Sequence, residues 1–275
     1  MARRHKLLTT NLTKIEFMDF KIIDAHSHLW LHQDTSWNGM KIKTTENGRS
    51  FFLTEEVQML PPFIIDGRNT AEIFLANMDY AQVAGAVVVQ ELIDGIQNDY
   101  LEEVKRKYAE RFFVFGMFDF FNGSPVRQVE ELYGRGFRGI AIPGHRLILN
   151  DRRVYLNSPE MMEMFKLMER KGMILSICLA ENHQQLDEIK EVIAECPELK
   201  IAIGHFGMVT QPGWEEQIML ARNKNVYVES GGITWLFNSE FYPYPSAVRA
   251  IREAIDMVGA EKLMWGSDLS LIHIS

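Results

Sequence analysis

The chain has 275 residues and a mass of 31.8 kDa, which exceeds a small stapled domain and suits one large α/β domain or two modest ones. Hydrophobic residues make up 47% and charged residues 24%, ordinary globular values that speak against disorder, collagen and coiled coil. A net charge of −8 argues against a general nucleic-acid binder, and two cysteines, Cys178 and Cys196, exclude a disulfide scaffold and fit a reducing cytosol.

In chain order, the first 20 residues read as an N-terminal extension, with Met18 an alternative start. The basic stretch at 1–6 lacks the apolar segment of a signal peptide, and no apolar run approaches the ~18 to 20 residues of a membrane span. A cytoplasmic protein is expected, with no membrane partner and with homo-oligomerisation left open. From residue 21, short apolar runs alternate with amphipathic segments. Strands are predicted at 21–30, 85–91, 112–119, 137–143, 173–180, 200–207, 225–232 and 262–268. Their near-continuous apolarity suits a parallel sheet covered on both faces. Helices are predicted at 69–84, 98–110, 124–134, 158–171, 183–195, 214–223 and 244–258, two of them opening Ser-Pro. Met161, Met162, Met164 and Met168 read as packing.

Eight strands with seven intervening helices predict an α/β fold, a single distorted (β/α)8 TIM barrel over 21–275. An open doubly wound sheet would show a Gly-rich turn after its first strand, and none is present. The segment 31–67 has no helical period and reads as a long loop over the barrel mouth. Only seven residues follow Asp268, so the eighth helix, which needs about 15 to 30 more residues, is expected to be missing. The tail Leu-Ser-Leu-Ile-His-Ile-Ser resembles translated adapter read-through, so the natural sequence is expected to differ after the last strand.

The chemistry-bearing residues fall at strand ends. His26 and His28 are two apart and share one face of the first strand, where two imidazoles suit a divalent ion such as Zn²⁺; a metal-free buried pair is the alternative. His205 lies between Gly204 and Gly207 and could be a metal ligand, a general base or a donor to a carbonyl. Asp268 ends the last strand, as a metal ligand and proton acceptor or as a helix N-cap. Glu91, Arg138, His145, Arg146 and Glu229 are further candidates at the mouth, an arginine there being suited to a substrate carboxylate.

Asp24-Ala25-His26-Ser27-His28, Gly204-His205-Phe206-Gly207 and Trp265-Gly266-Ser267-Asp268 together resemble the amidohydrolase superfamily, and most closely its amidohydrolase-related group of sugar-lactone hydrolases and some decarboxylases. The runs 98–101, 136–140 and 225–228 resemble the lactonase-like branch. The resemblance implies a hydrolytic site at the barrel strand ends. His26, His28 and Asp268 would be metal ligands, Asp268 also the proton acceptor, and His205 would orient or polarise the substrate. Many metal-dependent members have a histidine at the end of strand five, where this chain has Cys178, to be read as an ordinary buried cysteine or, as a thiolate, a zinc ligand. The resemblance implies a metal-dependent hydrolase, zinc favoured, opening an ester or lactone bond in a small carboxylated or sugar-derived substrate. A non-oxidative decarboxylase or hydratase, or an inactive binding homologue, are the alternatives.

Overall fold

The computed structural model describes residues 21–269 except 32, 38, 39, 53, 54, 59, 61, 63 and 182. The expected extension at 1–20, the alternative start at Met18 and the tail at 270–275 lie outside the described residues.

In chain order the elements are β1 (Ile22–Ser27), β2 (Asp34–Trp37), β3 (Met40–Thr44), β4 (Arg49–Phe52), β5 (Glu55–Gln58), α1 (Ala71–Ala81), β6 (Val83–Val88), α2 (Asn98–Lys107), β7 (Phe112–Val114), α3 (Pro125–Gly134), β8 (Gly139–Ile142), α4 (Pro159–Arg170), β9 (Ile174–Ile177), α5 (Leu186–Glu195), β10 (Lys200–Ile203), α6 (Trp214–Met219), β11 (Val226–Glu229), α7 (Ile233–Leu236), α8 (Pro245–Val258) and β12 (Leu263–Met264).

This is a mixed α/β fold built on two parallel sheets, β1-β6-β7 and β8-β9-β10-β11-β12. Backbone pairing continues across both seams between them. Gly116 bridges Ile140 beyond the end of β7, and Ser27 bridges Leu269 beyond β12. The second seam also carries Ala25 N–H to Trp265 O at 2.9 Å and Asp268 N–H to His26 O at 2.8 Å. Helices cover the strands because each supplies an apolar stripe: Phe74 and Met78 from α1, Met164, Phe165 and Met168 from α4, Ile189 and Val192 from α5 are all buried. Pro125 and Pro159 occupy the first turns of α3 and α4, where a missing N–H costs nothing.

Every parallel strand is shorter than its predicted run. β10, for example, stops at Ile203, and the next residues leave the sheet toward the strand-end face. Apolar character alone does not mark the point where pairing stops.

The segment 31–67 corrects a sequence expectation. It contains a four-stranded antiparallel sheet, β2-β3-β4-β5, rather than an aperiodic loop. Asn47 and Gly48, both at positive φ (56° and 72°), turn the chain between β3 and β4. Asn-Gly is a strong short-range hairpin signal, hidden here among strands of four or five mostly polar residues. Buried Gln33 ties this sheet to the main fold by donating from Nε2 to Asp94 Oδ1 at 3.1 Å.

Candidate metal and active site

The carboxyl ends of the parallel strands converge on a cavity of about 220 Å³. His26 lies within β1, and His28 just beyond it. Their Nε2 atoms are 3.1 Å apart. Asp268, four residues past β12, brings Oδ1 to 3.0 Å from His28 Nε2 and 3.5 Å from His26 Nε2. All three side chains are buried. Asp268 adopts a left-handed backbone (φ 55°), which a non-glycine residue holds only under support. The bond from its N–H to His26 O supplies part of it.

The far nitrogens of both imidazoles meet carboxylates. His26 Nδ1 is 2.8 Å from Glu229 Oε1. His28 Nδ1 is 2.9 Å from Asp94 Oδ2, a close ion-pair contact lying off the ring's N–H direction. Carboxylates in these places orient histidine ligands and raise their basicity. Separations of 3.0 to 3.5 Å match the edges of a donor polyhedron around an ion with bonds of about 2.0 to 2.2 Å. The donor set, two imidazole nitrogens and one carboxylate oxygen, therefore fits a divalent transition ion. His26, His205 and Glu229 form a second group of clustered potential ligands. Glu229, however, already accepts from the backbone N–H groups of His205 and Gly231.

His205 follows β10 at φ 51°. Its Nδ1 is 2.9 Å from Gly231 O. A carbonyl only accepts, so Nδ1 carries hydrogen, and Nε2 is the nitrogen left for chemistry. Burial pulls its pKa down. The neighbouring Cys178 sulfur and the carboxylates of Asp268 and Glu229 outweigh that and hold it well above the ordinary value. For His28, burial likewise opposes charge, but Asp94 and Asp268 push it up to about 10. Burial raises Asp268, yet its hydrogen bond to His28 and the surrounding imidazoles hold it well below the usual carboxylate range.

The remaining sequence candidates divide. Glu91, His145 and Arg146 line the cavity. Glu91 sits 3.3 Å from Arg146 Nε and 3.5 Å from His145 Nε2. Burial raises the Glu91 carboxyl, but His145 and Arg146 pull it below its ordinary value. Cys178 follows β9 directly and lines the cavity beside Gly204, and burial raises its thiol. Glu229 is placed behind His26 instead of on the cavity wall. Arg138 is not part of the site. It precedes β8 at the opposite end of the strand, exposed, donating to Tyr133 O and Phe137 O and stacked over Tyr133. The predicted run begins at Phe137, so Arg138 sits at its amino end, and the carboxyl ends of parallel strands are the ones that face the mouth.

Sequence reasoning misses Asp94 and Trp235. Asp94 closes a single 3₁₀ turn, Leu92–Asp94, after β6. Trp235 lies on α7, too short for a periodic signal. Proximity to strand ends is the only sequence cue to either.

A parallel α/β scaffold with a metal-competent histidine–carboxylate site at its strand ends defines the class. The chain belongs to the amidohydrolase family, whose model matches residues 23–272. A comparison with curated proteins finds no match. Among solved structures, it is similar to a probable 2-pyrone-4,6-dicarboxylic acid hydrolase from Acinetobacter baumannii with citric acid bound. That pair shares 18% identity and a TM-score of 0.64, over 91% of this chain and 84% of the other. An amidohydrolase from Burkholderia multivorans with bound Zn gives 16%, 0.65, 91% and 84% for the same measures. A 2,6-dihydroxybenzoate decarboxylase from Rhizobium gives 15%, 0.56, 74% and 78%. Identities this low show a shared fold.

Proposed function

We propose that the protein is a metal-dependent hydrolase that opens an ester or lactone bond in a small carboxylated or sugar-derived molecule. The carrying observation is the Nε2–Nε2–Oδ1 set of His26, His28 and Asp268, whose histidines are backed by Glu229 and Asp94. The parallel strands with bridges at both seams support a distorted (β/α)8 barrel beneath it. No helix among the described residues is long and apolar enough to cross a membrane. Cysteine usage favours the cytoplasm.

A divalent ion, with zinc favoured, would lower the pKa of water to about 7 and polarise the substrate carbonyl. The chain supplies the rest. His26 and His28 hold the ion, each oriented by its carboxylate. Asp268, whose carboxylate stands beside the imidazoles, accepts the water's proton. His205, kept protonated by its anionic neighbours, donates from Nε2 to the developing oxyanion. Arg146 holds a substrate carboxylate at the other side of the cavity.

A second reading is non-oxidative decarboxylation of an aromatic acid. It is favoured by the apolar wall of Val89, Ala141, Ile142, Leu179 and Trp235. Sugar lactones and pyrone carboxylates assayed beside hydroxybenzoates separate the two, before and after chelation. Lactone opening that chelator abolishes and Zn²⁺ restores is the expected result. Decarboxylation alone would replace the first reading with the second. Full activity with under half an equivalent of metal would sink the metal mechanism, and binding without turnover across the set would mark an inactive homologue.

A further inference from the structure

Trp235 belongs to none of the motifs read from the sequence, yet it touches both groups assigned to proton handling. Its indole Nε1 donates to Asp268 Oδ2 at 2.9 Å. Its ring meets His205 edge-on, with centroids 5.7 Å apart. It also lines the cavity.

The loop that carries it is shaped for this contact. Gly232 starts α7 at φ 72°. A Cβ there would lie 1.9 Å from Trp235 Nε1 and 2.7 Å from Asp268 Oδ2, so glycine alone lets the indole close on the carboxylate. Gly231, one residue earlier, donates its N–H to Glu229 Oε2 and accepts from His205 Nδ1. One short loop thus fixes Trp235, His205 and the partner of His26 relative to one another.

The consequence lies in how the two oxygens of Asp268 are divided. An indole N–H donates and cannot accept. It occupies Oδ2 and leaves Oδ1 to His28 and His26. The terminal torsion of an aspartate is broad, so without this anchor the carboxylate could rotate and exchange its oxygens.

We infer that Trp235 is a positioning residue for Asp268, holding Oδ2 so that Oδ1 alone joins the His26–His28 donor set, while its ring forms the cavity wall beside His205. The inference rests on the proposed metal-dependent reading, since its probe is Zn²⁺ itself.

The test is Zn²⁺ affinity, measured by competition with a chromogenic chelator, for the wild type, Trp235→Phe and Trp265→Phe. Phenylalanine keeps an aromatic wall and removes the N–H. Trp265 is half exposed outside the cavity lining and serves as the control. Trp235→Phe is expected to weaken Zn²⁺ binding by about 10- to 100-fold in a protein that still folds, its melting temperature lowered only as far as the loss of one buried hydrogen bond requires, with Trp265→Phe unaffected. Wild-type affinity in Trp235→Phe overturns the inference and leaves the metal reading standing. A wild type that binds no Zn²⁺ removes both. Should Trp235→Phe fail to fold, ¹⁵N spectra of the wild type supply the answer. One of the five tryptophan indole N–H signals should move on Zn²⁺ addition, and a set that stays still would overturn the inference.

Discussion

Ser267 donates twice to Asp24, through its backbone N–H to Oδ1 at 2.8 Å and through its hydroxyl to Oδ2. The two residues are 243 positions apart. Asp24 Oδ1 also accepts from His26 N–H at 3.1 Å. One buried carboxylate therefore fixes the strand bearing the histidines against the residue next to Asp268. Ser267→Ala would leave Asp24 Oδ2 buried without that donor. A loss of about 1 to 3 kcal/mol in urea unfolding is expected, with an unchanged slope. Wild-type stability would show that the staple contributes nothing.

Asp268→Asn keeps the size of the side chain and removes its charge. Turnover should fall about 10²- to 10⁴-fold while circular dichroism shows the fold retained, with a lower melting temperature because the buried imidazoles lose a counter-charge. Near-normal turnover would remove Asp268 from the mechanism.

Metal binding should release a proton. In the metal-free protein His28 is raised to about 10 by Asp94 and Asp268 against burial, so it is charged at pH 7. A ligand must be neutral, so the ion displaces that proton. Its stabilisation of the apo fold is fully present below pH 6.5 and is lost as the pH rises through about 10. Zn²⁺ affinity should accordingly rise between pH 7 and pH 9. Calorimetry in buffers of differing ionisation enthalpy should report about one proton released at pH 7. Uptake of protons, or none exchanged, would contradict the assignment.

Arg146 and Arg138 should separate cleanly. Arg146→Ala is expected to raise KM for a carboxylated substrate by about 10- to 100-fold, the worth of a hydrogen bond to a charged group. Arg138→Ala, at the other end of β8, should leave kcat and KM unchanged. Equal effects from the two would mean that Arg146 does not grip the substrate.

The alternation of apolar runs and amphipathic segments is legible in the sequence, because parallel strands covered on both faces must be apolar nearly throughout. His26 and His28 are legible because strand residues two apart share a face. The antiparallel sheet at β2–β5 is not. Its strands are short and mostly polar, and the Asn-Gly pairs at 38–39 and 47–48 are its clear cues. Strand ends are overrun for a related reason: apolarity continues past the last paired residue. Arg138 is misplaced because it stands at the amino end of its run, and in a parallel barrel only the carboxyl ends of the strands face the mouth.

Local sequence was enough for the α/β class, the strand-end positions of His26, His28, His205 and Asp268, and the family resemblance that covers residues 21–268. All of these depend on short-range periodicity or on motifs of a few residues. Which partners those residues meet was settled by the folded chain alone. The pairings Asp94 with His28, Glu229 with His26, Trp235 with Asp268 and Asp24 with Ser267 join residues far apart in the chain. These contacts need positions within about 3 Å, and such positions are set by the packing of strands and helices together, not by any single stretch of residues.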